Sequence, residues 1–225
     1  MIAIKGVGRI CGDKTLLAEV DLTIGRGESV AVTGPDAAGR AVLMRILATL
    51  MPPSSGHLLI ADVDAVADAS RVRRLVAYAG RDTIRANRLR VAEYLRFVAA
   101  ARRQPPASAG AAAAAVGLAA DAPIETLPGV LQHRLALAAA LVTGAHVLLL
   151  DDVLSALDPQ ARVRTSEWLN RACEQGTTIV ASADEGEELA DVCQRTVRLD
   201  AGRIVDASPR RTMSGFGRKR ELVSV

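Results

Sequence analysis

The sequence predicts an α/β protein, with a central, mainly parallel sheet, an N-terminal antiparallel β-subdomain and a helical subdomain. Three observations carry this. Val147-Leu148-Leu149-Leu150 is an apolar run too short for a typical helix, so it reads as a strand buried on both faces, and Asp151 and Asp152 follow at once. Glu28 to Thr33 reads as a second strand, followed by a glycine-bearing loop and a helical pattern. A helix over 159–175 and a further parallel strand at Thr178 to Ala181 continue the alternation of strand and helix that builds such sheets.

Taken in order, residues 1–33 read as short antiparallel strands with turns at Gly12-Asp13 and Gly25-Arg26-Gly27. After the glycine loop, Leu43, Ile46, Leu47 and Leu50 recur at helical spacing until Pro52-Pro53 stop the helix. A strand at His57 to Ile60, a helical stretch and a strand at Leu75 to Ala79 come next; His57 reads as a surface strand residue. Val91, Tyr94, Leu95 and Val98 form one apolar stripe, broken by Gln104-Pro105-Pro106, and Ala111 to Ala115 is a strong helix former. Asp158 caps the helix that opens with Pro159, where a missing N–H costs nothing, and Gly176 stops it. Trp168 is expected to pack on the sheet. Thr196 to Asp200 and Arg203 to Asp206 pair as a hairpin across Ala201-Gly202. The tail from Arg210-Arg211 through Arg218-Lys219-Arg220 is basic, suited to a solvated tail or to contact with anionic lipid or a partner.

The 225 residues suffice for one domain with a sizeable core. Half of them are hydrophobic, yet no run reaches membrane-spanning length, and the N-terminus has no signal-peptide pattern. A formal charge of +3 does not demand a nucleic-acid partner, and none is expected. Cys11, Cys173 and Cys193 are scattered without metal-ligand spacing, as in a reducing compartment, with Cys173 and Cys193 read as small buried hydrophobes.

Two stretches carry the chemistry. Gly34-Pro35-Asp36-Ala37-Ala38-Gly39-Arg40-Ala41-Val42 lies between a strand and a helix, where loop amides and a helix N-terminus can cradle phosphate. Against the pattern G-x-x-x-x-G-K-[ST], both glycines fit; Arg40 stands for the lysine and Ala41 for the hydroxyl residue. Asp151 and Asp152 lie at the carboxyl end of a central strand, the edge where open α/β sheets bind ligands. They read either as a metal or activated-water site or as solvated acids of a capped turn.

With Ser155-Ala156-Leu157-Asp158-Pro159 added, the wording L-L-L-D-D-V-L-S-A-L-D-P resembles the ATP-binding cassette (ABC) family, the nucleotide-binding subunits of ABC transporters. The resemblance runs from about Ile2 to Val205. It implies the P-loop ABC ATPase fold: a single nucleotide-binding domain over 1–208, its helical subdomain at about 84–143, then the tail 209–225. It implies ATP and Mg²⁺ as cofactors, with Gly34 to Val42 around the phosphates and Asp151 toward the metal. It also implies a dimer with a second ABC subunit, an integral membrane subunit as partner, and a peripheral place on the cytoplasmic face of the membrane. Leu127-Pro128-Gly129-Val130-Leu131 matches the L-S-G-G-Q signature, and Ser155, Ala156, Leu157 and Asp158 match the loop after the acids.

Several family-equivalent positions depart from the pattern. Cys11 stands where an aromatic stacks on adenine, and Arg81 where a glutamine links the metal to the membrane subunit. Asp152 is one methylene shorter than the usual glutamate, and Ala183 replaces a histidine that contacts the γ-phosphate. Pro128 has neither hydroxyl nor N–H, and Val130 replaces a glycine. Arg40 keeps a charge, but as a fork rather than a point ammonium, and Ala41 cannot ligate Mg²⁺. The expectation is a degenerate subunit that binds ATP weakly, gains little from Mg²⁺, hydrolyses poorly or not at all, and serves to hold a membrane partner. The alternatives are an active transporter ATPase with unusual motif residues and a regulatory or scaffolding protein on the same fold.

Overall fold

The computed structural model describes residues 1–80, 84, 86 and 88–208, the side chains of 187 and 188 excepted. The chain runs β1 (Ile2–Cys11), β2 (Lys14–Ile24), β3 (Ser29–Thr33), α1 (Ala37–Leu47), β4 (Ser55–Ile60), β5 (Val63–Asp64), α2 (Ala69–Leu75) and β6 (Val76–Ala79). Then come α3 (Val91–Ala101), α4 (Ala107–Ala115), α5 (Gly129–Leu141), β7 (Val147–Asp151), α6 (Pro159–Glu174), β8 (Thr178–Ser182), β9 (Arg195–Asp200) and β10 (Arg203–Ala207).

The larger sheet has the order β10-β9-β3-β8-β7-β6, parallel except for β10, which returns from β9 as a hairpin. The smaller sheet, β2-β1-β4-β5, is antiparallel throughout. Its two leading strands are ten and eleven residues long, not the short strands the turn signals predict. The register shifts between Ile4 and Ile10, so the pairing bends instead of ending. Leu75 closes α2 instead of opening β6.

The period of two in a strand divides the core. Val147 and Leu149 of β7, with Val30, Val32 and Val180, pack against α1 and the antiparallel sheet. Leu148 and Leu150, with Ala31, Ile179 and Ala181, pack against α3, α4, α5 and α6. Both faces of the sheet's centre are thus covered, which is why β3, β7 and β8 are mostly apolar and buried, whereas β9, nearer the edge, is not. The parallel strands end together at Thr33, Ala79, Asp151 and Ser182, and that edge carries the two motif stretches.

Gly34 fixes the exit from β3. Its φ is +125°, and a Cβ there would overlap the carbonyl oxygen of Leu199. The loop therefore lies flat against β9 before α1 begins.

Candidate functional site

Helix α1 starts at Ala37, inside the stretch read as loop. Its N-cap is Asp36, whose Oδ1 accepts from the Gly39 amide at 2.9 Å. Oδ2 accepts from the Gly202 amide at 3.1 Å, tying the loop to the β9–β10 turn. Gly39 gives the carboxylate room, since a Cβ there would stand 2.9 Å from Asp36 Cγ. A protein carboxylate thus occupies one of the donors that a helix N-terminus offers an anion.

Arg40 is buried at 3 % exposure. Its guanidinium turns back, donating to the Gly34 carbonyl and to Asp184, with which it also forms an ion pair. Asp184 follows Ala183, which is itself buried, its amide bonded to the Val32 carbonyl at 3.2 Å. The positive charge of the loop is thus paired with Asp184, just beyond the end of β8.

At the strand end, Ser182 donates to Asp151 Oδ1 at 2.7 Å and Tyr78 to Oδ2 at 2.8 Å. Strand register explains it: Ser182 is the β8 partner of Asp151, and Tyr78 is the β6 partner of Leu149. Gly80 leaves the phenol ring its place, since a Cβ there would come within 2.7 Å of Cζ. Burial first, and the Asp151 carboxylate second, push the Tyr78 hydroxyl well above its ordinary pKa, so it stays a donor. Asp152 adopts a left-handed backbone, φ 56°, which Asp tolerates better than most side chains. Its carbonyl and Oδ1 accept from Ser155 at 3.0 and 3.3 Å. Tyr78, Asp151, Asp152 and Ser182, with Ala37, Arg40, Ala41 and Arg45, border a cavity of about 200 Å³.

The signature stretch opens α5. Pro128 is the N-cap, at φ −54° and ψ 153°, with no side-chain bond to the helix amides. Val130 is 50 % exposed on the first turn. Arg134 on the same helix donates from Nε to the Ala156 carbonyl and from Nη1 to Asp158 Oδ2, both at 2.8 Å. Asp158 in turn accepts from the Ala161 amide at 2.8 Å as the cap of α6. That bond, then Arg134, holds the Asp158 carboxyl below the usual range. So Leu127 to Leu131 and Ser155 to Asp158 are braced as one piece.

Cys11 is exposed at the end of β1, a strand of the antiparallel sheet. Arg81 and Arg85 lie outside the described residues, as does the tail from 209 on. Sequence reasoning places Asp36 in the phosphate-binding loop, where the structure makes it the cap of α1, and assigns no role to Tyr78, Ser182 or Asp184. The signal for these three was available: all lie at or just beyond the carboxyl ends of parallel strands, where ligand-facing groups gather.

Residues 17–155 match the family model described as ABC transporter. The chain belongs to this family. Among its relatives, the daunorubicin resistance ATP-binding protein DrrA3 of Streptomyces coeruleorubidus is 30 % identical over 211 residues, covering 91 % of this chain and 66 % of the relative. The methionine import ATP-binding protein MetN of Xanthomonas oryzae pv. oryzae is 36 % identical over 207 residues, covering 86 % of this chain and 61 % of MetN. The chain thus spans a little under two thirds of these relatives' length. The bacterial ABC transporter cassette MJ0796, solved as a dimer, superposes with a TM-score of 0.83 at 22 % identity, over 94 % of this chain and all of that one. At that identity the likeness is one of fold, the P-loop ABC ATPase fold that the sequence predicts.

Proposed function

We propose that this ABC family member is a degenerate ATP-binding subunit: it holds nucleotide weakly, hydrolyses it poorly or not at all, and mainly holds or positions an integral membrane subunit. Residues 1–208 act as the nucleotide-binding domain, with about 84–143 as its helical part. The observation that carries the reading is Arg40. Its guanidinium is buried and bonded to Gly34 and Asp184, so it must break those bonds to meet a phosphate. The donor set does not fit Mg²⁺ either. Ala41 offers no oxygen, and Asp151, the one remaining acid of the pattern at the strand end, shares its lone pairs with Ser182 and Tyr78.

The proposed partners are a second ABC subunit and a membrane subunit, with the chain peripheral on the cytoplasmic face of the membrane. The dimeric MJ0796 cassette and relatives named for import and export support these assignments. Among the described residues no helix is long and apolar enough to cross a membrane. One feature favours the active-ATPase reading: the brace through Arg134 holds the Ser155–Asp158 turn as a working site would need.

Titration calorimetry with ATP, with and without Mg²⁺, separates the two. The expected result is weak binding that Mg²⁺ barely changes. Micromolar affinity that collapses in chelator overturns the proposal.

A further inference from the structure

A cavity of about 400 Å³ lies at the opposite edge of the parallel sheet from Asp151, beside the start of β7 and the end of α6. A five-residue strand separates the two edges by roughly 16 Å. The cavity is lined by Arg26, Arg171, His146, Gln175, Trp168 and Leu148 among others. No acidic side chain lines it. Arg26 and Arg171 make no hydrogen bond or ion pair among the described residues. The acid nearest Arg26 in sequence, Glu28, is already engaged, accepting from the Gly25 amide at 2.7 Å and pairing with Arg195 at 2.9 Å.

Gly176, at φ +95°, lets Arg26 lie across the end of α6; a Cβ there would come within 3.1 Å of its Nε. Some surface arginines are tied down, Arg102 to the carbonyls of Arg74 and Val76 and Arg203 to Glu19, while others such as Arg71 are, among the described residues, as unpaired as Arg26 and Arg171. What sets this place apart is that two guanidinium groups and Trp168 line one cavity, although Glu167 and Glu174 lie one turn to either side of Arg171 on α6. The carboxyl end of α6 opposes an anion with about half an elementary charge, against two full positive charges.

We propose that this cavity is a binding site for a small organic anion with a planar ring: the ring lies on Trp168 and the acid group is held by Arg26 and Arg171. Guanidinium forks recognise planar carboxylate, sulfonate and phosphate oxygens in pairs, and a cavity of this volume is in the usual range of small-molecule sites. The site is independent of the nucleotide stretch and does not rest on whether that stretch is active.

Trp168 is the single tryptophan of the chain, so its emission reports on the cavity directly. The probe is anilinonaphthalene sulfonate, a fused ring bearing one anionic group. Titrated into the whole chain, it should quench Trp168 saturably, by energy transfer, with one site. Arg26→Ala and Arg171→Ala should each weaken binding roughly tenfold, the loss of one charged hydrogen bond. Both residues are exposed, and circular dichroism should show an unchanged fold. A second arm needs no variant: the uncharged analogue phenylnaphthylamine should bind the wild-type chain at least tenfold more weakly than the sulfonate. A sulfonate that leaves Trp168 emission unchanged, or binds the folded double arginine variant equally well, or is matched by the neutral analogue, overturns the proposal.

Discussion

Arg40 and Asp184 form a pair whose two halves differ in burial, and that difference sets what each is worth. The Arg40 side chain is 4 % exposed and Asp184 75 %. Removing the arginine leaves the Gly34 carbonyl without its partner in a buried place, so Arg40→Ala should cost about 1–3 kcal/mol. Asp184→Asn removes a carboxylate that water already solvates and keeps an acceptor for the buried guanidinium while taking away its counter-charge, and should cost less, about 1 kcal/mol. Urea denaturation of the two variants checks the order; equal losses would mean that the ion pair, not the carbonyl, dominates.

Tyr78 gives a pH signature at the same scale. Its folded pKa lies above its unfolded value, chiefly through burial and then through Asp151. The stability it contributes is therefore complete below the ordinary tyrosine value of about 10 and is lost as pH climbs past it toward the folded one. Between about pH 9 and about pH 11 the wild-type chain should lose more stability than Tyr78→Phe. The variant keeps part of the slope, because burial raises Tyr94 as well. Equal slopes would dissociate Tyr78 from the effect.

Among the elements, helix α5, like α4, has an uncapped start at a proline. Pro128→Ser supplies a hydroxyl for the first-turn amides, worth about 1 kcal/mol, and loses the proline's restriction of the unfolded chain, worth about 0.4–1 kcal/mol. The expected change in thermal midpoint is therefore small and upward, and a fall of several degrees would show that the φ of −54° suits proline alone. The elements were legible in the sequence where one force dominated. Val147 to Leu150 could only be a doubly buried strand, and Asp158-Pro159 could only open a helix. The length of β1 and β2 was not legible, since Gly6 and Gly8 look like breaks but serve register shifts within a continuing pair. Nor was the inward turn of Arg40, because the residue that draws it, Asp184, lies 144 positions away. Local pattern places a strand end; it does not say which donors at neighbouring strand ends will meet.

For the molecule as a whole, the departures fall on both halves of any head-to-tail pair. Under the proposed function, one half-site would take Arg40, Ala41, Asp152 and Ala183 from this chain and the other Leu127 to Leu131. A complex containing this chain should then turn over ATP below the usual enzyme range of roughly 1–10³ s⁻¹. Arg40→Lys, Ala41→Ser, Asp152→Glu and Ala183→His together should raise turnover more than Ala183→His alone, in a phosphate-release assay. Asp152→Glu carries its own cost, because the φ of 56° suits Asp better than Glu. A complex already within that range, and indifferent to all four changes, removes the case for degeneracy.

The turned-in guanidinium of Arg40 also has a consequence in time. If phosphate is met only after Arg40 leaves Gly34 and Asp184, opening precedes binding, and opening is a first-order event. In stopped flow with a fluorescent ATP analogue, the observed rate should then level off as nucleotide concentration rises, at a plateau that Asp184→Asn lifts. A rate that climbs linearly throughout would mean that the latch is never in the way.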